Sequence, residues 1–124
     1  MLLSSFLFLL VGTLFILLSI PLMRRSVKPN QLYGLRISAT FADEWVWYEA
    51  NARSGRDLLI LGLFIIAASL ALPAVPGVTS ERHLRLLMGL TFSGVVVVAV
   101  VGIFRANRLL RDRKVAGGER ERSS

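Results

Sequence analysis

One polar segment carries most of the side chains in this chain that could do chemistry. It occupies residues 29 to 36, and three further polar or aromatic positions follow it: Thr40, Trp47 and Asn51. Arg36 can make paired hydrogen bonds to a phosphate or a carboxylate, and an asparagine side chain can both donate and accept. Gly34 permits a tight turn or a close approach of another group. Such residues indicate either a binding surface or a loop that satisfies its own backbone groups.

Outside this segment, the sequence offers little for catalysis or metal binding. It contains no cysteine, which excludes disulfides and thiolate ligands. The single histidine, His83, has only Glu81 near it, and we expect it to be solvated rather than a metal ligand. The acids between the first two apolar runs are expected to be helix-surface charges: Asp43, Glu44, Glu49 and Asp57. We therefore expect no enzyme, no cofactor and no metal site.

Three long runs without charged residues indicate the fold class. The 124-residue chain is 54% hydrophobic, more than so short a soluble domain can enclose in a core. The runs predict three membrane-spanning helices, over about residues 2–23, 58–78 and 86–104. The first run could instead be a signal peptide, although it lacks a basic start and a good cleavage site.

These helices define the predicted organisation of the chain. We predict an all-α, integral membrane three-helix bundle over residues 1–110, with an ordered cytoplasmic loop over residues 24–57 that contains a short amphipathic helix. The basic tail, residues 111–124, is predicted to be disordered because it has little to bury.

The distribution of basic residues predicts the topology. Six lie between the first two runs and seven follow the third, whereas only two, Arg82 and Arg85, lie between the second and the third. Basic residues flanking membrane helices favour the cytoplasmic side. We therefore predict a multi-pass protein of the cell membrane, with its N-terminus outside and its loop and C-terminus in the cytoplasm. No recognition motif accompanies the charges, so nucleic acid is not an expected partner.

Residues 41–56 predict the amphipathic helix at the membrane surface. Its aromatic residues are expected at headgroup depth: Trp45, Trp47 and Tyr48. Thr40 has the spacing of a helix N-cap with Asp43 as its acidic partner three residues later. Gly55 is interpreted as a hinge before the second span.

The loop resembles the SdpI/YfhL family, in a short form with only the core three-span module. The pattern is Pro-Asn-x-x-Tyr-Gly-x-Arg, then a Thr, then Trp-Tyr-x-Ala-Asn and a Gly before a span. The matching positions are Pro29, Asn30, Tyr33, Gly34, Arg36, Thr40, Trp47, Asn51 and Gly55. Lys28 and Ile37 depart from the usual pattern, which has a proline and a Thr or Ser there. The resemblance implies an immunity or signalling protein.

Two functional hypotheses follow, and a third is disfavoured. In the first, the nine motif positions bind a partner, or structure the loop that does; the expected partners are membrane lipid through its headgroup, a peptide toxin or a regulatory protein. In the second, the protein is structural or accessory and assembles with itself or a larger complex in the lipid bilayer. Small residues four apart support the second hypothesis: Ala67 with Ala71, and Gly89 with Ser93. A transporter or membrane enzyme is disfavoured because no predicted span contains an ionisable residue.

Overall fold

Four α-helices and one short 3₁₀ turn form the fold in a computed structural model, which describes residues 1–123. The helices are α1 (Leu2–Met23), α2 (Ser38–Ala42), α3 (Glu44–Ala71) and α4 (Ser80–Ser123), and the 3₁₀ turn is Leu72–Ala74. Helices α1, α3 and α4 are long and apolar enough to cross a membrane. The predicted all-α fold with three membrane-spanning helices is confirmed.

The outer surface of the bundle is apolar. Leu3, Phe92 and Phe104 are 81%, 75% and 71% exposed, and many other large apolar side chains are exposed with them. A soluble monomer rarely presents so much contiguous apolar surface to water, whereas a lipid bilayer covers it. The helical backbone satisfies its own hydrogen bonds there, which explains why these runs form helices.

Helix α3 is the centre of the bundle, since α1 and α4 each pack against it and barely touch one another. Glycines allow the close contacts. A Cβ atom on Gly12 would lie 2.8 Å from the carbonyl oxygen of Gly62, and one on Gly94 would lie 2.3 Å from Leu61 Cδ1. The small residues that sequence spacing singled out lie elsewhere, because Ala67, Ala71, Gly89 and Ser93 are exposed. Spacing alone does not show which face of a helix meets a neighbour.

Helix α3 joins two elements that the sequence predicts as separate. It runs without interruption from Glu44 to Ala71, so the amphipathic segment and the second span are one helix. The interpretation of Gly55 as a hinge is wrong. Gly55 is buried in the α1–α3 contact, where a Cβ atom would lie 2.9 Å from Leu22 Cβ and 3.0 Å from the Ser19 carbonyl oxygen. The glycine provides room for a neighbouring helix rather than flexibility.

Helix α4 also extends further than the sequence predicts. It continues to Ser123 through the region predicted as a disordered tail. Every residue from Arg111 to Ser123 is exposed, in agreement with the expectation that the tail buries little.

The histidine at the start of α4 is buried, so the expectation of a solvated His83 is wrong. His83 is 0% exposed, and its Nδ1 lies 2.8 Å from the Ser4 hydroxyl oxygen. Its Nε2 lies 3.5 Å from the hydroxyl of Ser5, which donates to the Ser69 carbonyl at 3.0 Å. The first turn of α1 thus covers a ring that the sequence alone places in a short polar connection.

Candidate functional site

The motif forms a folded cap at the end of the bundle where α1 ends and α3 begins; we call residues 27–51 the motif cap. Asn30 forms its first turn. Its Oδ1 accepts hydrogen bonds from the backbone amides of Leu32 and Tyr33 at 2.9 and 2.7 Å, and its Nδ2 donates to the Lys28 carbonyl at 2.7 Å. Asparagine commonly fixes turns in this way, here directly after Pro29. The Asn30 amide is therefore used within the loop.

Two longer side chains tie the cap to its surroundings. The Tyr33 hydroxyl donates to the Leu18 carbonyl in α1, and the Arg36 guanidinium donates to the Gln31 carbonyl. Partial burial raises the pKa of the Tyr33 phenol, so this donor keeps its proton at neutral pH. The contact of Arg36 with a loop carbonyl leaves its other guanidinium N–H groups without a described partner among residues 1–123.

Gly34 and Asn51 form the most constrained contact in the cap. Asn51 is 2% exposed; its Oδ1 accepts from the Leu35 amide at 2.6 Å and its Nδ2 donates to the Trp47 carbonyl at 2.9 Å. Gly34 has φ 106°, and a Cβ atom there would lie 2.8 Å from the Asn51 Oδ1. Both the backbone conformation and the space available therefore require glycine.

The helix caps differ from the sequence expectation. Asp43, rather than Thr40, caps α3: its Oδ1 accepts from the amides of Trp45 and Val46 at 2.8 and 3.4 Å. Thr40 lies within α2, where its hydroxyl accepts from the Ile37 amide at 3.0 Å. The extended backbone of Asp43 (φ −148°, ψ 124°) separates the two helices, which is why the cap lies three residues later.

The two tryptophans have opposite environments. Trp47 is 0% exposed and its Nε1 donates to the Val27 carbonyl at 2.8 Å, so it is buried beneath the loop. Its ring is therefore covered by protein, whereas an interfacial ring that contacts lipid headgroups would be exposed. Trp45 is 43% exposed, and the Arg113 guanidinium lies over it, 4.9 Å from the ring centre. Positions two apart in a helix point in different directions, and a tryptophan pair does not by itself show which ring is buried.

Ion pairs connect the motif cap to the helices. From the sequence alone, the acids of these pairs are expected only to be helix-surface charges. Arg25 Nη2 lies 2.5 Å from Glu49, and Arg25 has the left-handed conformation (φ 56°) just after α1 ends. Arg113 Nε lies 3.1 Å from the Asp43 carboxylate and links α4 to the cap. Only the pairing of Glu49 with Arg53, four residues on in the same helix, has a signal in the sequence.

We predict a pH-dependent contribution from Asp43. Its hydrogen bond to Arg113, with smaller contributions from the Val46 and Trp45 amides, holds the pKa of this carboxyl below its ordinary value of about 3.8. A lowered pKa stabilises the fold above the ordinary value, and this stability is lost as pH falls through the lowered one. Asp43→Asn keeps an N-cap oxygen but removes the charge. We expect it to cost about 1 kcal/mol or less at pH 7 and to flatten the decline below pH 4, measured by thermal unfolding in detergent.

An open apolar pocket of about 240 Å³ lies directly beneath the motif cap. Three motif residues line it, namely Tyr33, Gly34 and Asn51, together with side chains of α1, α3 and α4. The buried hydroxyl of Ser54 also lines the pocket and has no hydrogen-bond partner among residues 1–123. An unpartnered buried hydroxyl can bond to a polar atom of a ligand. The pocket is therefore suited to an apolar group that carries one acceptor.

The structure brings eight motif positions together around the loop, and the ninth, Gly55, lies one turn further along α3. Within residues 1–123, no group of three or more His, Cys, Asp or Glu side chains is arranged to hold a metal ion.

The sequence was compared with known proteins. The model of the SdpI/YfhL protein family matches residues 26–105. The chain belongs to this family. No significant match was found among curated proteins or solved structures. The region matched to the SdpI/YfhL family contains all nine motif positions and ends at Arg105, so it includes the cap, all of α3 and the apolar part of α4. The chain is thus a membrane protein of the SdpI/YfhL family.

Proposed function

We propose that this SdpI/YfhL-family protein is an immunity or signalling module that binds a peptide toxin or a regulatory partner at its motif cap. The observation that carries the proposal is the apolar pocket lined by Tyr33, Gly34 and Asn51. The side chains of these and the other motif residues bond mainly to the protein itself, so their role is to shape the pocket rather than to reach outward. No catalytic step is part of the proposal.

The position of the pocket favours an apolar peptide as the ligand. Val95 and Val98 of α4 line it opposite Leu22 of α1, and these two helices barely touch each other. A hydrophobic segment can therefore approach between α1 and α4 from the bilayer, with the Ser54 hydroxyl bonding to one of its carbonyls. Leu32 is 90% exposed at the tip of the cap and offers a further apolar contact. The basic flanks of the spans support a cytoplasmic orientation of this cap.

Photo-crosslinking in native membranes tests the proposal with two adjacent positions. A photoreactive residue at Val95 lies in the pocket wall, and one at Val96 is similarly exposed, 45% against 42%, but lies outside it. We expect a discrete peptide or protein adduct at Val95 and none at Val96. Adducts of equal yield at both positions, or lipid adducts alone, would contradict partner binding in this pocket.

A second candidate function, assembly through helix contacts, has one specific observation in its favour. Within residues 1–123, a Cβ atom on Gly89 would meet nothing within 4 Å, so this glycine lies on an open helix face beside the exposed Ser93. Such small-residue pairs allow membrane helices to approach closely. If the protein forms a homo-oligomer through this face, Gly89→Leu will shift it to a monomer in size-exclusion chromatography with light scattering. An unchanged molar mass would exclude this face as the contact.

A further inference from the structure

A cationic groove crosses the bundle next to the motif cap but outside the pocket described above. It consists of two adjoining cavities of about 510 and 460 Å³, which share Arg53 and Arg105. Five arginines from the end of α1, from α3 and from α4 line it: Arg25, Arg53, Arg56, Arg105 and Arg108. We call these five residues the arginine groove. Only two acids, Glu49 and Asp112, line the same cavities.

The groove has more positive charge than the protein neutralises. Glu49 already bonds to Arg25 and Arg53, and Asp57 lies 3.0 Å from Arg105. Arg56 and Arg108 are exposed and make no side-chain hydrogen bond or ion pair with any residue in the described range 1–123. Guanidinium groups without a partner favour a phosphate, which they can bind through two parallel hydrogen bonds.

The groove lies where the apolar parts of the helices end. Arg56 precedes the charge-free part of α3, which starts at Leu58, and Arg105 directly follows the apolar part of α4, which ends at Phe104. In a membrane-spanning bundle this boundary is the level of the lipid headgroups. Phe104 is 71% exposed and lines the groove beside Arg105, as expected at a boundary between hydrocarbon and headgroups.

An apolar groove continues from the arginines toward the middle of the spans. A cavity of about 240 Å³ is lined by Ile60, Val97 and Val101 and shares Arg105 with the arginine groove; Asp57, the ion-pair partner of Arg105, also lines it. Val97, Val101 and Arg105 are four residues apart, so they form one stripe along α4. A further apolar cavity of about 260 Å³ shares Ile60 and extends to Ala67. The cationic site thus adjoins an apolar groove that begins between α3 and α4 and continues along α3.

From this continuity we infer that the α3–α4 face binds one anionic phospholipid, with its phosphate among the residues of the arginine groove, where Arg56 and Arg108 are unpaired, and an acyl chain along Ile60 and Val101. Free phosphate would use the arginines and leave the apolar groove empty. An anionic lipid uses both, and the net negative charge of its phosphate is attracted by the unpaired Arg56 and Arg108. A zwitterionic lipid carries a positive group that these arginines repel.

Native mass spectrometry of the full chain, released from a neutral detergent, tests the inference. The probes are phosphatidylglycerol and phosphatidylcholine with identical acyl chains. We expect one phosphatidylglycerol to bind at least about tenfold more tightly than phosphatidylcholine. Arg56→Gln with Arg108→Gln should weaken phosphatidylglycerol binding about tenfold. The control, Arg111→Gln with Arg120→Gln, removes the same charge from exposed positions of α4 outside the groove and should leave binding unchanged.

A pair of valine substitutions and a competition with inorganic phosphate distinguish binding of the whole lipid from binding of a phosphate alone. Val101→Trp fills the apolar groove and should weaken lipid binding severalfold, whereas Val100→Trp, on a neighbouring exposed position, should not. Inorganic phosphate at millimolar concentration should not displace the lipid. Equal binding of the two lipids, equal losses in the two arginine pairs, or displacement by inorganic phosphate would each overturn the assignment of an anionic phospholipid.

Discussion

Gly62→Ala is expected to separate α1 from α3 and to lower the stability of the protein, because the added methyl group meets the backbone of the neighbouring helix. The added Cβ would lie 2.8 Å from the Gly12 carbonyl oxygen and 3.0 Å from Ile16 Cγ1. The first of these atoms belongs to a helix backbone, which cannot move aside as a flexible side chain can. Forcing extra atoms into a well-packed contact costs about 1–3 kcal/mol. Because α1 packs mainly on α3, most of its contacts depend on this crossing.

Gly89→Ala is the matched control. It adds the same methyl group to a membrane helix, but no atom of the described part of the chain lies within 4 Å of the new Cβ. Alanine favours a helix over glycine by about 0.8–1 kcal/mol, so Gly89→Ala should be neutral or slightly stabilising in the monomer, and both variants are compared at a dilution that keeps the protein monomeric. The measurement is thermal unfolding of both variants in the same detergent, with accumulation in membranes as a second readout. Equal melting temperatures for the two variants would show that α1 and α3 do not cross at Gly12 and Gly62.

Asn51→Ala is expected to release the motif cap while leaving the three long helices in place. It removes the 2.6 Å hydrogen bond that the Leu35 amide donates to the Asn51 side chain. An unpaired buried donor costs about 1–3 kcal/mol, and Gly34 loses the contact that fixes its position. The Trp47 carbonyl is less affected because it lies within α3, where the helical backbone supplies an amide that donates a hydrogen bond to it. The cost therefore falls on the loop.

Hydrogen exchange at the Leu35 amide measures this effect directly. We expect exchange at Leu35 to become at least about tenfold faster in Asn51→Ala, since about 1.4 kcal/mol corresponds to a factor of ten in the opening equilibrium. Amides in the middle of α3 should keep their protection. Asn107→Ala is the control, because Asn107 is exposed on α4 and far from the cap in sequence. Unchanged protection of Leu35 in Asn51→Ala would show that the cap does not depend on this side chain.

The two predictions also separate a structural role of the motif from a role in recognition. If partner binding needs the folded cap, Asn51→Ala will abolish both cap protection and the Val95 adduct, whereas Ser54→Ala will weaken the adduct and leave the cap intact. Ser54 has no described internal partner to lose, so its substitution does not unfold the loop. A variant pair of this kind distinguishes a damaged pocket from a damaged fold.

The sequence by itself determined the helices and the type of loop between them. A charge-free run of the length of Leu2–Met23 has one low-energy state in hydrocarbon, the helix, and this follows from local composition. The motif also identified the family. A turn at Asn30 and a positive φ at Gly34 follow from the chemistry of these residue types alone. These features depend on neighbours within a few positions, which a sequence shows directly.

Only the tertiary structure decided which faces of the helices meet. Gly12 and Gly62 form the contact while Gly89 faces open space, and His83 is buried by serines that lie 78 and 79 residues before it. The Asp43 carboxylate accepts a hydrogen bond from Arg113, which lies 70 residues later in the chain. The physical reason is that a uniformly apolar helix has apolar side chains on every side. Many rotations about its axis would therefore bury a similar apolar surface. The packing of α1 and α4 on α3 selects one rotation, and the pocket, the cap and the arginine groove follow from that choice.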